Sequence, residues 1–205
     1  MQLINKTAVK KTIVHTWYIY PILAGIITVI WLWAFSAFHQ PTKHQMLTLF
    51  FSARVKSTKF ADKLMTYYPK EKLREVSISG LLPNAQGYPA KLKTALNGSD
   101  LLILDKTTLD DLSHRDVVIY NIPDDIKTKY LPGDHDYYTV TDEETTYTYG
   151  VLLNKDNLRK YLDFDEVDDY YVCVAKSSQN CGTLLSKGNE KYDNALTFMN
   201  YLLDF

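Results

Sequence analysis

Charge is absent from the chain between Lys11 and Lys43. Inside that gap Trp17 to Phe38 reads WYIYPILAGIITVIWLWAFSAF, 22 residues that are almost all apolar or aromatic. As a helix this run is about 33 Å long, close to the thickness of a bilayer's hydrocarbon core. Pro21 lies near the start, where a missing N–H costs least. Trp17, Tyr18 and Tyr20 at one end and Trp31 and Trp33 at the other have the placement of interfacial aromatic belts. The pattern predicts a transmembrane helix over residues 13–38. A cleaved signal peptide is the alternative, with Ala34-Phe35-Ser36 as the small-residue site, although the apolar run exceeds the roughly 7–15 residues of such signals.

Flanking charge sets the expected orientation. Lys6, Lys10 and Lys11 precede the run, and all 24 carboxylate side chains follow it. By the positive-inside rule, residues 1–12 are cytoplasmic and the remainder lies across a plasma membrane. Residues 39–45 (HQPTKHQ) read as a polar stalk, and 46–205 as one extracytoplasmic domain.

In that domain the hydrophobic spacing alternates between two periods. Met46 to Ser52 is an apolar run of strand length. Phe60, Leu64, Tyr67 and Tyr68 then recur on one helical face. Leu73 to Ser79 alternates apolar and polar as a strand does. Tyr88, Leu92, Ala95 and Leu96 have helical spacing, with Asn97-Gly98 as the expected stop. Leu101 to Leu104 is a short continuous apolar run that suits a strand covered on both faces. Strand, helix, strand, helix, strand predicts an α/β fold: a small three-layer domain with a mostly parallel sheet.

Beyond residue 112 the pattern loosens. Val117 to Ile122 reads as a strand, and Asp124 to Tyr130 as a helical turn or two. Tyr137 to Val140 and Thr145 to Leu153 read as a hairpin around TDEE. Asn157 to Phe164 reads as helical and Tyr170 to Ala175 as a strand. The stripe Tyr192, Ala195, Leu196, Met199, Leu202 and Leu203 makes a C-terminal helix, with Asn189 as its expected cap.

Composition narrows the function classes. With 23 Lys and Arg against 24 Asp and Glu, nothing points to a nucleic-acid partner. The 46% hydrophobic content excludes disorder as a description of the whole. Two cysteines are too few for a disulfide scaffold or a four-cysteine zinc site. Cys173 and Cys181 flank a short loop; in an oxidising compartment a disulfide between them would add about 2–3 kcal/mol, and two separate buried thiols are the alternative.

The order MLTLFFSARV, helix, REVSIS, helix, ALNGSDLLIL, TYTYGVLL, YYVCVAKSSQNCG and ALTFMNYLL resembles bacterial extracellular solute-binding proteins of ABC transporters. In that family an Asp introduces the third strand, where this chain has Asp100, and a Tyr-Gly segment marks a crossing strand, where it has Tyr149-Gly150-Val151-Leu152. Family members run to two lobes with a ligand cleft between them. Here the stretch between the third strand and the crossing-like segment is too short for a second lobe, position 153 is Leu where the family often has Pro, and a transmembrane helix replaces the lipid anchor. The resemblance implies a shortened, single-lobed, membrane-anchored relative.

No catalytic motif rises above this background. G-x-S-x-G, H-E-x-x-H, G-x-x-x-x-G-K-[ST] and G-x-G-x-x-G are missing from the sequence. Ser177 and Ser178 follow Lys176 without the spacing of an activated pair. His135 between Asp134 and Asp136 lacks the register of a calcium loop. Asp142, Glu143 and Glu144, and the run Asp163, Asp165, Glu166, Asp168 and Asp169, read as solvated surface. No cofactor, no metal and no enzymatic activity are expected.

Tyrosine is the compositional oddity, with 16 residues, 14 of them after the apolar run. A tyrosine face grips sugars, peptides or proteins with apolar area plus a hydroxyl. Strand ends and their loops line crevices in open α/β sheets, which makes Tyr88, Asp100, Tyr149 and Asn180 the candidate ligand-binding residues. The expected function is non-catalytic recognition of a small solute, as an accessory to an ABC permease. The alternative is an interaction module that has lost its cleft and contacts another envelope protein.

Overall fold

In the computed structural model, residues 17–39, 41–57, 59–68, 73–184 and 193–205 are described. The chain divides into two compact units, Met1–Gln40 and Pro41–Phe205. In the first, the uncharged run forms helix α1 (Ile19–His39). Its stretch Ile19–Phe38 has a mean hydropathy of 2.0, so it is long and apolar enough to span a bilayer. The Thr28 hydroxyl is satisfied within the helix, donating to the Ala24 carbonyl at 2.8 Å. Trp31 and Phe35, one turn apart, stack at 5.3 Å.

In the second unit the two alternating periods become strands β1 (Met46–Phe51), β2 (Arg54–Val55), helix α2 (Lys59–Tyr67), β3 (Glu75–Gly80), helix α3 (Tyr88–Gly98) and β4 (Leu101–Asp105). Helices α4 (Lys106–Asp111), α5 (Arg115–Val118) and α6 (Asp124–Tyr130) follow, then β5 (Tyr137–Asp142), β6 (Thr145–Leu152), β7 (Leu162–Asp163), β8 (Tyr170–Val174) and α7 (Asn194–Leu203). Six strands make one sheet in the order β3-β1-β4-β8-β6-β5, and β2 pairs with β7 separately.

The sheet is mixed, which corrects the expectation of a mostly parallel one. Strands β3, β1 and β4 run parallel, whereas β4–β8, β8–β6 and β6–β5 are antiparallel. Apolar periodicity reports which face a residue occupies and is blind to strand direction. Only the short βαβ connections of the first half fix direction locally.

Side-chain alternation places a core on each face. Leu47, Leu49 and Phe51 of β1, Leu101 and Ile103 of β4, and Val172 and Val174 of β8 pack with α2 and α7. Phe50, Leu102, Leu104 and Cys173 point the other way, toward α3 and α4. Covered on both sides, β1 and β4 need nearly continuous apolar sequence, and β4 is buried along its whole length.

Several local expectations change. Val117 to Ile122 is no strand: its first residues end α5, and only Ile119 bridges to Ala175. Asn157 to Phe164 holds a 3-10 turn at Leu158–Lys160 followed by β7. Helix α4 was not anticipated; Asp105 caps it by accepting from the Thr108 amide at 2.8 Å. Gly98 closes α3 without a left-handed conformation, whereas Gly87 supplies one before the helix, at φ 87°. The stalk is folded from Lys43 onward, as a 3-10 turn whose Gln45 carbonyl accepts from the Arg74 amide at 2.8 Å. Helix α7 starts at Asn194, and the expected cap Asn189 lies outside the described residues, as does Tyr192.

Candidate functional site

In the parallel half, the connection from β1 to β3 passes over one face through α2 and that from β3 to β4 over the other through α3. The sheet's winding therefore reverses between β1 and β4, and the crevice beyond their carboxyl ends is the position where such sheets bind ligands. Four polar side chains fill this place. The Thr108 hydroxyl donates to Asp105 Oδ1 at 2.7 Å. Its oxygen is left to accept from the Tyr88 hydroxyl at 3.2 Å. Tyr88 in turn accepts from the Ser52 hydroxyl. Ser52 is fully buried, Asp105 nearly so, and Tyr88 is 5% exposed. Burial pushes the Tyr88 phenol above its ordinary range. Each hydroxyl is committed to its neighbour, and the chain Ser52–Tyr88–Thr108–Asp105 closes the crevice from inside.

Asp100 and Asn180 meet at the opposite, amino ends of these strands. Asp100 Oδ2 accepts from the Thr48 amide at 2.8 Å. Its Oδ1 accepts from the Ser178 hydroxyl at 2.6 Å and from Asn180 Nδ2 at 3.0 Å. Asn180 Nδ2 also donates to the Met46 carbonyl at 2.8 Å. Nearby, Asn194 Nδ2 donates to the His44 carbonyl at 2.7 Å, and the Ala195 amide donates to the Asn180 carbonyl at 2.8 Å. These bonds clasp four separate segments: the start of β1, the head of β4, the loop after β8 and the start of α7. A buried carboxylate satisfied by three donors is a structural tie.

Tyr149 is distant in the topology, on β6 in the antiparallel half. It is buried, stacked beside Tyr147 at 6.3 Å, and raised in pKa by burial. Of the four candidate residues, then, the fold joins Asp100 with Asn180 and places Tyr88 and Tyr149 elsewhere.

The cysteines are two separate thiols. Both are free and buried, Cys173 in the core on one face of the sheet and Cys181 in the core on the other. The sheet between these cores explains why the short spacing in sequence does not become a disulfide. Burial pushes the Cys181 thiol up to about 12 and raises Cys173 as well, so neither supplies thiolate near neutral pH. A water-soluble maleimide or aromatic disulfide reagent at pH 7.5 should label neither in the folded protein and both in denaturant. Rapid native-state labelling of either would contradict the burial.

Among the described residues no group of His, Cys, Asp and Glu is gathered as a metal site. His135 sits edge-on to Tyr137 at 6.5 Å. In the acidic run, Asp163 meets Lys56 at 3.2 Å and Glu166 meets Arg159 at 3.9 Å; exposed pairs of this kind add little stability.

Sequence reasoning missed the surface beside β5. A hollow of about 380 Å³ is lined by Lys106, Asp110, Arg115, Tyr138, Thr139 and Val140, among others. The Tyr138 hydroxyl donates to Asp110 Oδ1 at 2.6 Å, Lys106 pairs with Asp110 at 2.6 Å, and the Arg115 guanidinium lies 5.8 Å from the Tyr138 ring centre. The tyrosine-rich hairpin was the available signal, but its cationic neighbours come from α4 and α5, elements that apolar spacing had not revealed. No family model, curated protein or solved structure matches this chain.

Proposed function

We propose that this protein is a membrane-anchored interaction module: α1 holds it in the plasma membrane, residues 1–12 are cytoplasmic, and the α/β domain outside contacts another envelope protein without holding a solute. The observation that carries this reading is the closed crevice between β1 and β4, where Ser52, Tyr88, Thr108 and Asp105 bond to one another. Asp100 supports it, since its bonds tie the backbone together; Asn180 Nδ2 joins that tie, while its buried Oδ1 has no hydrogen-bond partner among the described residues. The closed chain between β1 and β4 speaks against the solute-binding accessory role, because a lobe of that kind needs polar groups left unbonded at the carboxyl ends of these strands. The resemblance to solute-binding proteins then reflects shared architecture, with the cleft removed.

The test is a thermal-shift panel of sugars, amino acids and oligopeptides at millimolar concentration on the full chain in mild detergent. Binding to the folded state alone adds about 2.7 kcal/mol at a hundredfold excess over Kd, or roughly 5–10 °C for a domain of this size. The expected result is no shift beyond 1 °C, on the order of the smallest change such melts resolve. A reproducible rise of several degrees with one solute class would overturn the module reading in favour of solute recognition.

A further inference from the structure

We propose that Asn97 is a modification site of this chain: it converts through a succinimide to isoaspartate when the last turn of α3 opens, and Ser177 is the brace that keeps that turn closed. Asn97-Gly98 is the single Asn-Gly pair in the sequence, and no Asp-Gly pair occurs. Both residues are exposed. A glycine in second place leaves the attacking backbone nitrogen unhindered and the chain free to turn.

The reaction needs only water. The Gly98 nitrogen attacks Asn97 Cγ and gives up its proton; the Cγ–Nδ2 bond breaks, and Nδ2 leaves as ammonia. Water then opens the ring. Opening at Cγ gives aspartate. Opening at the main-chain carbonyl carbon gives isoaspartate, whose backbone runs through Cβ and Cγ.

The native backbone holds this attack off. Asn97 lies inside α3, and a helical ψ of about −42° sets the next nitrogen off the line of approach to the side-chain carbon. The side chain is turned away as well, since Asn97 Nδ2 donates to the Lys93 carbonyl one turn back, at 2.9 Å. Two contacts close the turn. The Ser99 amide donates to the Ala95 carbonyl at 2.8 Å. The Ser177 hydroxyl, from the loop after β8, shares its proton between the Leu96 carbonyl at 3.2 Å and the Ser99 carbonyl at 3.1 Å. The last four carbonyls of a helix have no partner within it, so Ser177 adds a tie that α3 cannot supply. Helix ends open at low cost, and a glycine there lowers it further.

Conversion reaches the Asp100 clasp. Ser99 and Asp100 follow at once and are buried. The Asp100 amide donates to the Thr48 carbonyl at 2.8 Å, and its carbonyl accepts from the Ala175 amide at 3.0 Å. Isoaspartate inserts one backbone carbon just ahead of these bonds and shifts them against β1 and the end of β8. Aspartate adds only a carboxylate at the C-terminal end of the helix, where negative charge is mildly unfavourable.

The experiment incubates the full chain in mild detergent at mildly alkaline pH, with and without guanidinium chloride. Trypsin then releases residues 94–106, in which Asn97 is the sole asparagine. Mass spectrometry follows the amide-to-acid change, and enzymatic carboxyl methylation counts isoaspartate. Conversion should be about tenfold or more faster unfolded than folded, as opening-gated chemistry requires. Ser177→Ala should speed the folded rate several-fold and leave the unfolded rate unchanged. Gly98→Ala, whose Cβ meets nothing within 4 Å, should stop conversion in either state. The isoaspartyl protein should melt in less urea than Asn97→Asp. Equal folded and unfolded rates would overturn the gate, and another asparagine converting ahead of Asn97 in denaturant would overturn the site. A folded rate unmoved by Ser177→Ala, with unchanged circular dichroism, would overturn the brace. Equal urea midpoints for isoaspartyl and Asn97→Asp proteins would overturn the link to the clasp.

Discussion

Asp100→Ala should destabilise the α/β domain by about 3–5 kcal/mol, a large part of the 5–15 kcal/mol that holds a typical domain together. The substitution removes the acceptor of the Thr48 amide, the Ser178 hydroxyl and Asn180 Nδ2 at once. Each buried donor left without a partner costs about 1–3 kcal/mol. The sum is softened because the Ser178 hydroxyl can rotate and Asn180 keeps its bond to the Met46 carbonyl. Asp100→Asn should cost less, since one amide oxygen still accepts from Ser178 and Asn180, but its NH₂ then faces the Thr48 N–H. Urea unfolding followed by far-UV circular dichroism measures both; all three tryptophans lie at positions 17, 31 and 33, so their fluorescence reports the N-terminal helix instead. A ligand-binding aspartate would behave differently, its removal leaving stability unchanged or improved because binding sites hold unsatisfied polar groups. A neutral Asp100→Ala would therefore overturn the clasp and return Asp100 to the list of ligand candidates.

That contrast shows where sequence reasoning reached its limit. The uncharged run of α1 and the alternating periods from β1 to β4 were legible because each is set by neighbours three or four residues away, or by strict alternation. Polar residues at strand ends were legible too: Asp100 was singled out at the head of β4 and Asn180 after β8. What they do was not legible. The partners of Asp100 lie 52 and 80 positions away, at Thr48 and Asn180, and nothing local distinguishes a carboxylate awaiting a ligand from one already bonded. In the second half the hairpin of β5 and β6 and the strand β8 were legible as alternating Tyr, Thr and Val, but the stretch before them misled for a related reason. Val117, Val118 and Ile119 are β-branched and read as a strand, yet the backbone there turns as α5, with the Ile119 amide bonded to the Arg115 carbonyl. Tertiary bridging of the single residue Ile119 to Ala175 takes up the apolar run that local propensity assigned to a strand.

Gly150→Ala should cost about 2–3 kcal/mol, and Cys173→Ala should recover much of that loss. Gly150 lies within the Tyr-Gly-Val-Leu segment that carries part of the family resemblance. It has no positive φ, unlike Gly87 and Gly133, so conformational freedom does not explain a glycine there. Space does. A Cβ at position 150 would lie 2.8 Å from Cys173 Sγ, 3.1 Å from Tyr171 Cβ and 3.3 Å from the Val172 carbonyl oxygen, all on the neighbouring strand β8. The sulfur is the closest obstacle and belongs to a fully buried side chain. Cys173→Ala alone removes a buried atom and should cost about 1–2 kcal/mol through the cavity it leaves. In the double variant the new methyl enters that cavity, so the total should fall at least ~1 kcal/mol short of the sum of the single effects, beyond the ~0.5 kcal/mol expected of independent sites. Chemical denaturation of the four proteins closes the cycle. Additive costs would mean that Gly150 answers to the backbone of β8 and not to the thiol. A coupled result makes Gly150 and Cys173 one packing unit across β6 and β8, and accounts for the Tyr-Gly segment by sheet packing alone, with no ligand required.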